Sequence, residues 1–407
     1  MNDRAARAIA ECRTIATMTE EPGRITRRFL TPPMHSVHAR LRGRMEALGM
    51  AVHVDGAGNL RGLWQPAVAG ARRIILGSHI DTVPDAGAFD GILGVTVALE
   101  WVGIAQEIGF PLAIEVIAFS EEEGVRYGLP YLGSRAVAGR FDPAHLSRTD
   151  AEGTTVEAAL RGFGLDPGHI AEATLDENAL FFVEVHIEQG PILEAEELSV
   201  AAVTAIVGQT RMTLTFAGHA NHAGTAPMHL RHDALAAAAE WISAVEAMGR
   251  STEGLAATVG RISVEPNVGN VVPGLARVSL DVRHAFDRVR LSAVSSLLET
   301  AAGIAAGRGL TLQQKAELEQ PAVPMDERLT ALLLHAMEAA GYPLKSMPSG
   351  AGHDAIVMAG RLPTAMLFVR SPGGVSHHPD EAVREEDVAA SLHVARAFLA
   401  LVAKNLV

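Results

Sequence analysis

The sequence predicts an α/β unit interrupted by a smaller α+β unit. Three observations carry this reading. Short apolar runs rich in β-branched residues, "RRIILGSH" (72–79), "LAIEVIAFS" (112–120) and "ALFFVEVHIEQG" (179–190), each end in polar residues, the mark of buried parallel strands with chemistry at their carboxyl ends. Between residues 209 and 318 the pattern changes to alternating strands and long helices. After "EQPAVPMD" the α/β style returns.

Taken in order, residues 4–20 and 35–48 read as amphipathic helices. Strand 72–79 is followed by helix 94–109, strand 112–120 and strand 179–190. The middle of the chain then offers strand 209–218 and helix 233–249, with Asp233 as its N-cap. Alternating strands at 256–265 and 276–285, helix 288–307 and strand 310–318 complete a β-α-β-β-α-β order similar to a ferredoxin-like layer. A helix at 326–340, strand 362–369 and helix 384–403 return to the first style. The expected boundaries are 1–207 with 320–407 for the discontinuous unit and 208–319 for the insert. A length of 407 residues suits two domains.

Hydrophobic residues make up 48% of the chain and aromatic ones only 4%, so the core must be built from Ala, Val, Leu and Ile. The net charge of −13, without Lys/Arg runs, argues against nucleic acid and acidic membrane surfaces as partners. An anionic small substrate would need a local arginine to reverse the field. The lone cysteine, Cys12, rules out an intramolecular disulfide and fits a reducing compartment. The start of the chain lacks the apolar core of a signal peptide, and no run reads as a bilayer span, so a cytoplasmic protein is expected.

The chemistry concentrates in five short segments. His79 and Asp81 lie in "GSHIDTV", Asp90 in "GAFDG", Glu121 to Glu123 in "AFSEEEG", His186 in "EVHIEQG" and His377 in "GVSHHP". Two adjacent divalent metals on one water need mixed imidazole and carboxylate ligands, a bridging carboxylate and a base. His79 can hold one metal, and Asp81, two residues on, falls on the same strand face and can orient it. Asp90 sits in a Gly-flanked loop and could bridge. Glu122 and Glu123 would point to opposite sides if extended, one toward metal and one toward water, and Glu121 keeps that assignment open. Singly, each has a bland reading: a solvated Glu turn, a core histidine at 186, a surface turn at "SHHP". Jointly the bland readings weaken, because several candidates fall just past predicted buried strands.

In order along the chain stand "GSHIDTVPDAGAFDGILGV", "AFSEEEGVRYGLPYLGSRAVAG", "HIEQGPILE", "IVGQTR", "NHAGTAPMHLRHDA", "NVVPG", "DVRH", "SGAGHDA" and "GVSHHPDE". This set, covering about Met50 to the C-terminus, resembles the amidase/hydantoinase/carbamoylase branch of the di-metal aminoacylase-type peptidase superfamily. The resemblance implies a di-metal aminopeptidase-like catalytic domain carrying an inserted ferredoxin-like lid and dimerisation domain. It implies one metal on His79, Asp90 and His186 and a second on Asp90, Glu123 and His377, with Glu122 as general base and Asp81 in the orienting role. Glu121 and His378 are left without roles. The ions implied are Zn²⁺ or Mn²⁺, with Co²⁺ or Ni²⁺ as alternatives.

By the same resemblance, His222 stabilises the oxyanion, Asn270 and Arg283 bind substrate, and the insert pairs two subunits so that these three act across a homodimer. Arg283 has its own logic, since a guanidinium grips a carboxylate through two parallel hydrogen bonds. Gln189 and Gln209 are placed to line the pocket, and Gly350 and Gly352 could offer backbone N–H groups. The implied reaction is hydrolysis of the terminal ureido group of a small anionic ureido acid, with release of ammonia and carbon dioxide in ureide and purine breakdown. Within the branch, "DTVPDAGAFDG", "AFSEEEGVRYG", "LGSRAVAG" and "AIVGQTR" look most like the allantoate amidohydrolases, with N-carbamoyl-L-amino-acid hydrolases or β-ureidopropionase as the alternative. A silent binding protein would have no reason to keep Glu122 and all five ligands. A plain dipeptidase is disfavoured by the Arg283/Asn270 pair and by His186, where peptidases more often present a carboxylate.

Overall fold

The computed structural model describes residues 1–67 and 70–405; residues 68, 69, 406 and 407 of the expected larger unit lie outside the described residues. The chain divides into two compact units, Met1–Thr204 with Met325–Val407, and Ala205–Pro324.

The first unit is built on a mixed sheet. Its centre is four parallel strands in the order Ala113–Phe119, Arg73–His79, Ala179–Ile187 and Thr364–Val369. Every residue of the first and last of these is buried, as expected of parallel strands covered on both faces. The helix Ile92–Ile108 packs on Arg73–His79 and Ala179–Ile187, and helices Asn2–Ala16 and Glu385–Asn405 pack on it in turn. This explains why its sequence is apolar almost all round. Sequence reasoning passed over the flanking antiparallel strands Ala51–Val54, Leu60–Trp64 and Val200–Ile206. The first two are short, and the turn between them rests on the Asp55 side chain, which accepts the N–H groups of Ala57 and Asn59.

The second unit is an antiparallel sheet in the order Ile262–Glu265, Leu275–His284, Gly208–Ala217, Thr311–Gln320, with Ala256–Thr258 also paired to Leu275–His284. Helices Ala234–Ser251 and Asp287–Gly307 pack on it. The element order is β-α-β-β-α-β, and the strand before the first helix lies between the third and the last, as in a ferredoxin-like layer. Burial alternates along Gly208–Ala217 and Leu275–His284, so the sheet buries one face and leaves the other open. Asp233 caps its helix by accepting the Ala236 N–H. The single strand expected over 256–265 is two strands. Arg261 leaves the ladder because its N–H donates to the Ser279 hydroxyl.

Against the expectation of no bilayer-length run, one helix among the described residues, Asp287–Gly307, is long and apolar enough by length and composition to cross a membrane. Its stripe of Ala293, Val294, Leu297, Ala301 and Ala305 joins the core under the sheet instead, where the Trp241 indole N–H donates to the Leu297 carbonyl.

One polar knot sits inside the first unit. Glu100, 3% exposed on the helix Ile92–Ile108, pairs with Arg4 at 2.8 Å, Arg7 at 2.8 Å and Arg44 at 3.2 Å. Burial works against ionisation, but Arg7 and Arg4 outweigh it and hold the carboxyl below its ordinary 4.5. A depressed carboxyl contributes stability above its unfolded pKa and loses it as pH falls through the folded value. Glu100→Gln should therefore cost about 2 kcal/mol at pH 7 in urea titrations. The gap between variant and wild type should narrow below about pH 4. A gap that stayed constant with pH would contradict this account.

Candidate active site

The candidate residues of the first unit converge at the carboxyl ends of its parallel strands. His79 is the last residue of Arg73–His79, His186 is the penultimate residue of Ala179–Ile187, and Glu121 to Glu123 follow Ala113–Phe119. His377 lies in the loop after Thr364–Val369, with its backbone at φ 55°. Asp90 lies just before Gly91, the N-cap of the helix Ile92–Ile108, and its main-chain carbonyl accepts the Ile92 N–H.

Asp90, 2% exposed, is the centre of the cluster. Its Oδ1 lies 3.2 Å from His186 Nε2 and 3.7 Å from His79 Nε2, and its Oδ2 lies 3.0 Å from His377 Nε2. His377 Nε2 is also 3.5 Å from Glu123 Oε1. Donor atoms of His79, Asp90 and His186 lie within 4.8 Å of one another, as do those of Asp90, Glu123 and His377, and those of His79, Glu122 and Glu123. His378 stays outside: its ring accepts the Asp380 N–H and is exposed.

The donors suit divalent ions on three grounds. His79 Nδ1 lies 3.1 Å from the Asp81 carbonyl, and His186 Nδ1 lies 2.9 Å from the Ile187 carbonyl. A carbonyl only accepts, so each Nδ1 donates and each Nε2 turns inward. Glu123 Oε1 is buried without a hydrogen-bond partner. The set is imidazole and carboxylate, shared through one carboxylate, which fits Zn²⁺ or Mn²⁺.

Protonation in the cluster follows the same geometry. Burial opposes ionisation of Asp90, but His186, His377 and His79 hold its carboxyl well below the ordinary range. Hydrogen bonding to Asp90 raises His377 to about 9. Burial would lower His79, yet Asp81, Glu122 and Asp90 raise it well above its usual value. Burial and the Asp90 charge raise Glu123 to about 7, and burial also lifts Glu122 well above the ordinary carboxylate range.

The structure corrects one local expectation. Glu122 and Glu123 do not point to opposite sides: the strand ends at Phe119, and both carboxylates reach toward His79. Their chain is bent because the Asp81 carboxylate accepts the N–H groups of both, at 3.0 and 3.1 Å. Asp81 thus holds the Glu loop with its side chain and His79 chiefly with its carbonyl. Glu121, left without a role by the sequence, does not sit in a solvated turn. It is fully buried, and burial with the nearby Asp81 charge raises its carboxyl well above the usual range.

A second layer, which sequence reasoning missed, braces Asp90. Glu381, 5% exposed, accepts the N–H groups of Phe89 and Asp90 at 2.9 Å each and the Ser376 hydroxyl at 2.9 Å. Gln189, at φ 57°, donates its amide to both Asp90 oxygens at 3.2 Å and to Ser376 at 3.1 Å. Gly87 leaves the room that the Glu381 side chain fills, and Gly91, at φ 65°, leaves room for the His79 ring. Glu381 had no distinguishing signal in the sequence, being one acid in a polar turn. The cavity over the cluster is about 150 Å³, lined also by Pro130, Tyr131, Gln189, Ala351 and Gly352. Gly350 follows the strand Ser346–Ser349.

The remaining candidates lie in the second unit. His222, in the short strand Asn221–His222, pairs with Val271 beside Asn270, and both are exposed. The His222 Nδ1 accepts the Gly224 N–H at 3.0 Å, so a neutral ring presents Nε2–H. Arg283 lies opposite Gln209 in the strand pair Leu275–His284 and Gly208–Ala217. The Asp281 carboxylate gathers Arg283 at 2.9 Å, Arg211 at 2.9 Å and Gln209 at 2.8 Å. Arg211, Arg261 and Arg283 line a cavity of about 480 Å³.

Residues 75–401 match Peptidase family M20/M25/M40. The chain is 37% identical to the N-carbamoyl-L-amino acid amidohydrolase of Geobacillus stearothermophilus over 91% of its own length and 92% of that relative. It is 34% identical to a probable allantoate deiminase of Oryza sativa subsp. japonica over 93% and 85%. Among solved structures, an amidase of the hydantoinase/carbamoylase family from Burkholderia multivorans superposes with a TM-score of 0.90 at 33% identity, covering 97% of each chain.

The brace on Asp90 can be tested directly. Glu381→Ala should weaken divalent-ion binding by roughly 10- to 100-fold in isothermal titration calorimetry while leaving the folded circular dichroism spectrum intact. A wild-type isotherm would show that Asp90 needs no such support.

Proposed function

The chain belongs to Peptidase family M20/M25/M40, and on that premise we propose that it hydrolyses the terminal ureido group of allantoate, releasing ammonia and carbon dioxide. The observation that carries the hydrolytic reading is one buried carboxylate, Asp90, shared by two donor groups, with the buried Glu122 beside them. The ureido reading is supported by relatives named for allantoate and for N-carbamoyl-L-amino acids.

In this reading His79, Asp90 and His186 hold one ion, and Asp90, Glu123 and His377 hold the other. When bound, the ions acidify water and polarise a carbonyl. Glu122 accepts the proton of the attacking water and returns it to the departing nitrogen. Its burial lifts the carboxyl above the ordinary carboxylate range, which favours holding the proton it takes up. Asp81 keeps Glu122 in place through its backbone N–H.

Recognition falls to His222, Asn270, Gln209 and Arg283 of the second unit in a homodimer, together with Gln189, Gly350 and Gly352 of the first. Arg283 grips the substrate carboxylate, its guanidinium oriented by Asp281. His222 donates from Nε2 to the oxyanion. Asn270, Gln209 and Gln189 pair with ureido amides, and Gly350 and Gly352 offer backbone N–H groups. An N-carbamoyl-L-amino acid is the second reading, favoured by the 37% identity to the Geobacillus enzyme.

The test is ammonia release from allantoate, N-carbamoyl-L-amino acids and dipeptides after loading with Mn²⁺ or Zn²⁺. Allantoate should give the highest kcat/KM, and activity on dipeptides alone would overturn the proposal. Glu122→Gln should keep its metal content and lose about 10²- to 10⁴-fold in kcat. Full activity in that variant would remove Glu122 from the mechanism.

A further inference from the structure

The cavity over the metal-ligand cluster contains one group to which the proposed mechanism assigns no task, the hydroxyl of Tyr131. Tyr131 lines the cavity together with Glu122, Glu123, His79 and Gly352. Its backbone is in the left-handed region, φ 68° and ψ 26°, a conformation disfavoured for a bulky side chain. Such strain persists only where the surroundings impose it, and it gathers at functional sites. The backbone N–H of Tyr131 donates to the Glu122 carbonyl at 3.2 Å, which ties the ring's position to the proposed base.

A second accommodation stands opposite the ring. A Cβ at position 352 would overlap the Tyr131 hydroxyl oxygen, whereas it would sit 3.4 Å from the ring carbon Cζ, an ordinary contact. Glycine at 352 therefore makes room for the hydroxyl itself, not for the ring. The other side-chain donor on the wall outside the ligand set, the Gln189 amide, is already committed to Asp90 and Ser376. No hydrogen bond from the Tyr131 hydroxyl to another described residue is present.

We propose that the Tyr131 hydroxyl is a catalytic hydrogen-bond donor that contacts the ureido carbonyl oxygen and strengthens its bond as negative charge develops there. The inference rests on the hydrolytic reading of this cavity. Burial, with Glu122 and Asp354 adding to it, pushes the phenol well above its ordinary value, so it carries its proton at neutral pH. A donor fixed by the backbone and by a missing Cβ needs no reorganisation when the oxyanion forms, which is where such donors act most strongly.

The experiment uses the metal-loaded full-length chain with allantoate and an N-carbamoyl-L-amino acid as probes. Tyr131→Phe keeps the ring and should lower kcat by about 10²- to 10³-fold, with KM and metal content near wild type. Gly352→Ala should cause a comparable loss, because its Cβ takes the hydroxyl's place. In the Tyr131→Phe background the same substitution should change kcat by no more than about twofold, since no hydroxyl remains to displace. A Tyr131→Phe enzyme within about twofold of wild type would overturn the proposal. So would loss of metal in that variant, or a Gly352→Ala effect undiminished by Tyr131→Phe. Glu122→Gln separates the two levels. If it is inactive while Tyr131→Phe is unimpaired, only the role of Tyr131 fails; if it is fully active, the hydrolytic reading itself fails.

Discussion

The first unit depends on keeping one carboxylate ionised in its interior. Burying a charge is expensive unless it is paired and hydrogen-bonded. Asp90 is paired from several directions: His186 and His377 approach its two oxygens, and Gln189 donates to both. Its backbone is held in turn by Glu381, nearly three hundred residues away in sequence. The histidines come from residues 79, 186 and 377, so the charge gathers distant parts of the chain around itself.

The parallel sheet makes that gathering possible. Strands Arg73–His79, Ala113–Phe119, Ala179–Ile187 and Thr364–Val369 run in one direction and end on one side, and the loops beyond them carry the polar groups. Within the sheet, buried Glu115 is paired with Arg61 and Arg73 and buried Glu184 accepts the Ser78 hydroxyl, whereas the strand ends are where the backbone bends and the candidate ligands gather. Left-handed backbone at Tyr131, Gln189 and His377 falls in these loops.

Much of this is legible in the sequence, for physical reasons that also mark the limits. The long elements announce themselves by period and by caps such as Asp233, and the parallel strands by unbroken apolar runs. The ligand types at strand ends follow from the same pattern. What the sequence does not carry is the bend after Phe119, because Asp81 creates it from forty residues upstream by accepting the Glu122 and Glu123 N–H groups. Glu381 and Tyr131 were equally invisible, one an acid in a polar turn and the other an aromatic near a proline. Their importance arises from contacts made only in the folded chain.

The most direct test of the central claim is a crystal structure of the protein grown with Mn²⁺ or Zn²⁺, with the ions located by anomalous scattering. The account predicts two anomalous peaks, with one Asp90 oxygen roughly 2.0–2.2 Å from each ion. A single ion, or two ions that do not share Asp90, would contradict it.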